Sequence, residues 1–358
     1  MIDHDRLLDL FLDLVRISSP SGEEGEVSAY LQKKLHALGL EVESDEAGNL
    51  YAYVDGTGTP LCLTAHMDTV TPCDRVTPVV EDGVIRSDGS SILGADDKSG
   101  IAAIIEAVTC ALESGEAHRP VDLLFTLAEE AGLVGAKAVE VDRLRARMAI
   151  GLDAEGVQGT LVLCAPGQNS LRAVVHGRAA HAGVEPERGI NAICVASQAV
   201  VAMPLGRIDH ETTANIGVIS GGRATNIVPD EVLLKGEARS RDADKLTRQT
   251  DAMVAALEEA AAAAGATVDV EVRHAYESYR LSEDDALVQL VTAAMGSIGV
   301  EPRYVATGGG SDANILNARG MRMVQITTGM REVHTTNENI ALEDMAGAAR
   351  LLLACLTS

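Results

Sequence analysis

The sequence predicts an α/β protein: a mostly parallel sheet with helices on both faces, plus an inserted ferredoxin-like α+β domain. Three observations lead there. Short apolar runs of strand character alternate with helical periodicity through the first 166 residues, the order of a parallel sheet covered by helices. After Pro166 the order becomes β-α-β-β-α-β, the ferredoxin-like arrangement. Beyond residue 280 the first alternation resumes. One domain is therefore expected from residues 1–166 and 280–358, and a second from residues 167–279, inserted into it.

Each element has a local reason. Residues 5–16 carry the apolar spacing of an amphipathic helix, and Ser18-Ser19-Pro20 breaks it. Ser21 with Glu24 three residues on reads as a capping box for a helix that stops at Gly39. Strands are expected at 41–44, 49–54 and 61–65, with a hairpin-like region at 79–85. A helix over 98–113, a strand over 121–127 and a short helix over 131–139 follow. Strands at 149–152 and 160–164 complete this half. The inserted domain reads as strands at 171–176, 214–219, 232–238 and 267–273, with helices at 190–203 and 244–264. The last part reads as helices at 283–297, 312–318 and 342–356, with strands at 302–305 and 322–327.

Composition narrows the classes. The 358 residues suit two domains, and 46% hydrophobic residues suffice for sizeable cores. Aromatics are only 2% with no Trp, so the cores must be Ala, Val, Leu and Ile, and an aromatic-lined pocket is not expected. A formal charge of -24 argues against nucleic acid and anionic membranes as partners, and bound cations could offset part of it. The six cysteines form no C-x-x-C pair and several lie in apolar runs, as expected of buried reduced thiols in a cytoplasmic protein. The acidic N-terminus does not read as a signal peptide. No apolar run reaches the ~18 residues that suggest a membrane span.

The chemistry centres on the run 61–70, an apolar strand ending in His66, with Asp68 two residues on. Residues i and i+2 share a strand face, so this pair can form a metal ligand and the group that orients its ring. A lone His at a strand end is more often structural. Four later segments change the balance, since each ends an apolar run on a metal-type side chain: Asp96-Asp97, Glu129-Glu130, Asp153 and His334. All lie just after expected strands, where open parallel sheets bind ligands. Two His and three carboxylates suit two divalent cations, Zn²⁺ first, with Co²⁺ or Mn²⁺ as alternatives. One carboxylate would have to bridge the pair. Adjacent side chains at a strand end diverge, so one residue of Glu129-Glu130 can ligate while the other stays free as a general base. An isolated Glu-Glu would instead read as a solvated acidic loop.

With these residues the chain resembles the two-zinc metallopeptidases that include tripeptidase T, glutamate carboxypeptidase and aminoacylase, and among them the peptidase T-like enzymes. The resemblance covers nearly the whole length. Its motifs are Thr64-Ala65-His66-Met67-Asp68, Gly94-Ala95-Asp96-Asp97-Lys98-Ser99-Gly100, Glu129-Glu130, Gly151-Leu152-Asp153, and His334 with Glu338. It implies a catalytic di-metal domain and an inserted lid. It implies that His66 ligates one metal with Asp68 orienting it, and that Asp96 bridges both, followed by a cis peptide bond. It further implies that Glu129 is the base, that Glu130 and His334 hold the metal opposite the one held by Asp153, and that the substrate is a short peptide.

The same resemblance assigns roles in the inserted domain. His181, in Gly177-Arg178-Ala179-Ala180-His181-Ala182-Gly183, would stabilise the oxyanion, often from the other subunit of a dimer. On its own it reads as readily as a surface His. Asn226 would contact substrate, and Arg239 would hold a substrate carboxylate, with Arg241 as a rival and a solvated strand end as the plainer reading of both. Gly309, Gly310 and Ser311 open a helix whose backbone N–H groups could hold a carboxylate or carbonyl oxygen, or form only a tight turn. Gly308 departs from tripeptidase T, which has an Arg there. Strict tripeptide specificity is thus in question, and a deacylase of N-acyl amino acids is a second reading. A catalytically idle binding protein is a third, from another class. The resemblance implies a homodimer through the lid, and the edge strand that a ferredoxin-like sheet exposes is a second reason to expect one.

Overall fold

The computed structural model describes all of residues 1–358. Its elements in chain order are α1 (His4–Arg16), α2 (Gly25–Ala37), β1 (Val42–Ser44), β2 (Leu50–Val54), β3 (Leu61–His66), β4 (Pro78–Glu81), β5 (Val84–Ser87), α3 (Ala95–Ser114) and β6 (Val121–Thr126). Then come α4 (Val134–Ala138), β7 (Met148–Gly151), β8 (Thr160–Ala165), β9 (Gly167–His176), α5 (Ala192–Ala202), β10 (Gly206–Arg207), β11 (Thr212–Gly221) and β12 (Glu231–Ser240). The rest are α6 (Ala243–Ala264), β13 (Thr267–Tyr276), β14 (Tyr279–Arg280), α7 (Ala286–Ser297), β15 (Arg303–Ala306), α8 (Asp312–Ala318), β16 (Arg322–Ile326), β17 (Asn339–Ala341) and α9 (Leu342–Thr357).

The chain divides into two compact units. One comprises Met1–Leu163, Arg280–Ala306 and Ser311–Ser358; the other comprises Cys164–Tyr279 and Thr307–Gly310. The turn at 307–310 joins the second unit because Thr307 N donates to Cys164 O at 2.9 Å and Gly310 backs onto the Tyr276 ring.

The larger unit is built on a nine-stranded sheet in the order β1-β2-β6-β3-β7-β16-β8-β14, with β15 beside β8. Its centre is parallel, β6 to β3 to β7 to β16. The flanks run antiparallel, so the sheet is mixed, and the parallel part is the part that carries the site. The central strands are buried on both faces, which is why β3 and β6 read as mostly apolar runs without alternation. Helix α3 is buried from Ala95 to Ala111 and packs against α1, α9 and β3. At Gly100 on α3 an added Cβ would sit 2.2 Å from Asp97 Oδ1, so only glycine fits there. A small sheet, β17-β5-β4, completes this unit.

The second unit has the ferredoxin-like sheet β10-β11-β12-β9-β13, antiparallel throughout. Helices α5 and α6 cover one face, burying Leu171, Val175, Val195, Val232, Leu234, Met253 and Leu257.

Some local expectations fail for physical reasons. Ser21 and Glu24 do not form a capping box, because both side chains turn elsewhere: Ser21 Oγ to Asp68 and Glu24 to the N–H groups of Gly22 and Ala128. The helix expected at 131–139 is only Val134–Ala138, since Leu133 takes a positive φ of 61°. Strands β10, β14 and β17 were not expected; each has only two or three residues, too few for a period to register. None of the six cysteines forms a disulfide, and all but Cys194 are buried. No helix is long and apolar enough to cross a membrane.

Candidate functional site

Three adjacent parallel strands deliver side chains to one end of the sheet. His66 is the last residue of β3, opposite Thr126 at the end of β6. Past Thr126 the chain turns through Ala128, at φ 45°, and presents Glu129 and Glu130. Strand β7 ends at Gly151, and Asp153 follows. His66 Nδ1 donates to the Asp68 backbone carbonyl at 2.9 Å, which leaves Nε2 as the nitrogen that faces Asp96 Oδ1, at 2.9 Å. The Asp68 carboxylate is farther from the ring, 3.4 Å from Nδ1, so the Asp68 carbonyl is the nearer orienting group.

Asp96 comes from the opening of α3, at non-helical φ −81°, ψ 108°, and the Asp96–Asp97 bond is cis. Buried Glu338 holds this turn by accepting from Gly94 N at 2.6 Å and Asp96 N at 2.9 Å. Asp96 spreads its two oxygens between two histidines, with Oδ2 3.3 Å from His334 Nε2. His334 sits at φ 63° in a loop closed by the Arg331–Asn339 backbone pair. Its Nε2 is 2.8 Å from Glu130 Oε1, yet that oxygen makes no hydrogen bond. Imidazole nitrogens and carboxylate oxygens from four separate segments thus converge on one place, as ligands around a cation do. Two clusters result, His66–Asp96–Asp153 and Asp96–Glu130–His334, with Asp96 common to both. Glu129 joins His66 and Glu130 in a third grouping.

The amides of the turn bearing Glu129 are held by side chains. Four successive amides donate to them: Leu127 N to Asn49 Oδ1 (3.2 Å), Ala128 N to Glu24 Oε1 (3.0 Å), Glu129 N to Asp68 Oδ1 (2.9 Å) and Glu130 N to Asp68 Oδ2 (3.1 Å). The carbonyls of Leu127, Ala128 and Glu129 accept from amides at the start of α4.

Electrostatics point to the same chemistry. Burial pushes the Glu129 and Asp153 carboxyls well above the usual range, and Asp96 adds to both shifts. Burial pushes Asp312, whose Oδ2 accepts from Thr126 Oγ1 at 2.5 Å, up to about 6. Burial also resists ionisation of Asp96, but His334 and His66 hold it well below that range. Burial opposes charge on His66, and Asp68 and Asp96 outweigh it, so the ring titrates well above its ordinary value. Pairing with Asp96 and Glu130 raises His334 to about 10. Like charges ~4 Å apart repel by about 4 kcal/mol at an effective dielectric near 20, so this many carboxylates ionise together only beside compensating positive charge. Two divalent cations would supply it, and two imidazole nitrogens with three carboxylates are fitting donors for them.

The family model described as Peptidase family M20/M25/M40 matches residues 62–358. The chain belongs to that peptidase family. Protein YqjE of Bacillus subtilis is 41% identical over 99% of both chains. The crystal structure of aminopeptidase PepT from Bacillus cereus superposes with a TM-score of 0.90 at 40% identity, covering 99% of this chain and 98% of that one. A tripeptidase from Staphylococcus aureus superposes with a TM-score of 0.95 at 38% identity, covering 100% and 98%. The protein is accordingly a metal-dependent peptidase of the exopeptidase kind.

The remaining candidates lie mostly in the second unit. His181 and Asn226 are exposed and held side by side, because His181 bridges to Ile227 and Ala182 N donates to Asn226 O. His181 Nδ1 accepts from Gly183 N at 3.2 Å, so the neutral ring carries its proton on Nε2, free to donate. One edge of the Arg239 guanidinium is already engaged by Glu237, through Nε at 2.8 Å and Nη2 at 3.1 Å. Arg241 donates to His210 O, in the loop that leads into β11. In the glycine turn, Gly309 N donates to Thr307 Oγ1 and Ser311 N to Asn314 Oδ1, so two of its amides are spent internally. At Gly310 an added Cβ would meet the Tyr276 ring at 2.3 Å.

Sequence reading missed Asn49 and Asp312 and misassigned Ser21 and Glu24. The signal for the last two was present, a hydroxyl and a carboxylate three residues apart, but helix capping explained it equally well.

Proposed function

We propose that this family member is a two-zinc aminopeptidase that removes the N-terminal residue from short peptides. The observation that carries the reading is Asp96, whose two carboxylate oxygens face two histidines from opposite ends of the chain. His66, Asp96 and Asp153 would hold one cation, and Asp96, Glu130 and His334 the other. When bound, such a pair polarises a carbonyl and acidifies water. The chain's own groups do the rest. Glu129, raised by burial, takes a proton from the attacking water and returns it to the leaving amine. Asp68 fixes the amides on either side of that step. His181, with its proton on Nε2, donates to the oxyanion. Asn226, Arg239 and the turn of Gly309, Gly310 and Ser311 are assigned to holding the peptide.

The test is the zinc-loaded protein against di- and tripeptides with free amino termini, beside N-acyl amino acids. Release of the N-terminal residue, abolished by a chelator and restored by zinc, is expected. Faster turnover of the N-acyl compounds would replace this reading with a deacylase.

A homodimer through the second unit is part of the proposal. Strand β10 covers only Thr213 and Ala214, so the outer edge of β11 beyond them has no strand partner, and Val218 and Ile219 are exposed there. Ile193 and Val201 on α5 are exposed as well. An open edge with apolar neighbours suits pairing across a two-fold axis. Light scattering at micromolar concentration should give twice the chain mass, and a monomer would remove the interface. A cytoplasmic location fits six cysteines without a disulfide, and recovery from the secreted fraction would contradict it.

A further inference from the structure

We propose that Ser21 and Glu24 are positioning residues that set the aim of the Glu129 carboxylate; the inference rests on Glu129 being the base. The segment before α2 is tied to the site strand, since Thr69 N donates to Ser19 O at 2.9 Å and Pro20 bridges to Thr69. From there Ser21 Oγ donates to Asp68 Oδ2 at 2.6 Å. Glu24, nearly buried at 8% exposure, accepts from Gly22 N at 2.8 Å and Ala128 N at 3.0 Å through one oxygen. Burying a carboxylate is unfavourable without strong partners. A residue serving only α2 would cap it, and Glu24 makes no such bond.

Both contacts act on the same turn. Ala128 takes φ 45°, uncommon for a residue with a Cβ, and the bond from its N–H to Glu24 fixes the Leu127–Ala128 peptide, the one just before the bond into Glu129. Ser21 fixes the Asp68 oxygen that receives Glu130 N. Together they decide how Glu129 and Glu130 diverge, one toward the water and the other toward a cation. Neither residue touches substrate or metal in this reading. Their influence is geometric, and a displacement of about 1 Å at a reacting group can lower a rate by about 10²-fold.

The experiment measures kcat, KM, zinc stoichiometry and thermal midpoint for Glu24→Ala, Glu24→Gln, Ser21→Ala and Ser21→Thr on one tripeptide, beside Glu129→Gln. Glu24→Ala should lower kcat roughly 10- to 100-fold with two zinc ions retained and KM within about threefold. Glu24→Gln should regain most of the rate, because its amide oxygen accepts the same N–H groups. Ser21→Ala should lose less, and Ser21→Thr should recover it. Wild-type kcat in Glu24→Ala, equal impairment in Glu24→Gln, or a rate that simply follows zinc loss would overturn the proposal. If Glu24→Ala does not fold, the Ser21 pair decides the same question. An active Glu129→Gln would show that the base was misassigned; an inactive one beside a normal Glu24→Ala would show that the strap alone is wrong.

Discussion

Glu129→Gln should reduce kcat by about 10²–10⁴-fold, the range general acid–base catalysis contributes, while leaving the fold and the bound metal unchanged. That is about 3–5 kcal/mol of barrier at 1.36 kcal/mol per decade. The amide keeps the shape of the side chain and removes only its capacity to carry a proton. The four amides that fix this turn go to Asn49, Glu24 and Asp68 and are untouched by the substitution. Steady-state kinetics with elemental analysis checks the point. Two zinc ions with a fallen kcat identify the base, whereas a rate loss that tracks metal loss makes Glu129 a ligand, as its closeness to His66 and Glu130 would then require.

The second large effect is expected at Asp96. Asp96→Ala deletes the one carboxylate common to both clusters, so both cation positions lose a donor at once. Zinc content should fall from two per chain to below one, with loss of peptidase activity. Ligand binding stabilises the native state by RT ln(1 + [L]/Kd), about 2.7 kcal/mol per site at 100 times Kd. Zinc should therefore raise the Tm of the wild type by several degrees and that of the variant hardly at all. Without zinc a smaller loss is still expected. Asp96 stands between His66 and His334, which against its burial hold its carboxyl well below the usual range, so its ionised form stabilises the fold at neutral pH. The metal-free variant should melt below the metal-free wild type. A variant that still binds two zinc ions would end the bridging assignment.

Much of this arrangement is legible in the sequence. His66, Asp153 and the Glu129-Glu130 pair stand at the ends of buried strands, and buried parallel strands announce themselves as apolar runs closed by a polar residue. The inserted domain was legible because its long strands and the Ala-rich α6 each span enough residues to display a period. Strands β10, β14 and β17 were not, being shorter than one period can mark. The clasp on the Glu129 turn was hidden for another reason. Asn49, Glu24 and Ser21 reach their partners across 47 to 104 residues of chain, and nothing local distinguishes such a bond from a turn or a cap. The Arg239 fork shows the opposite limit. A guanidinium suits a peptide carboxylate, but Glu237 two residues earlier takes one of its edges first.

The clasp also sets how far the molecule can be shortened. Every proposed metal ligand and the base itself lie at or beyond β3, so a chain begun at Leu61 would look chemically complete. It would nonetheless have lost Ser21, Glu24 and Asn49, leaving the amides of Leu127 and Ala128 with no acceptor and Asp68 without its hydroxyl donor. Such a fragment would keep the reactive groups and lose the frame that aims them.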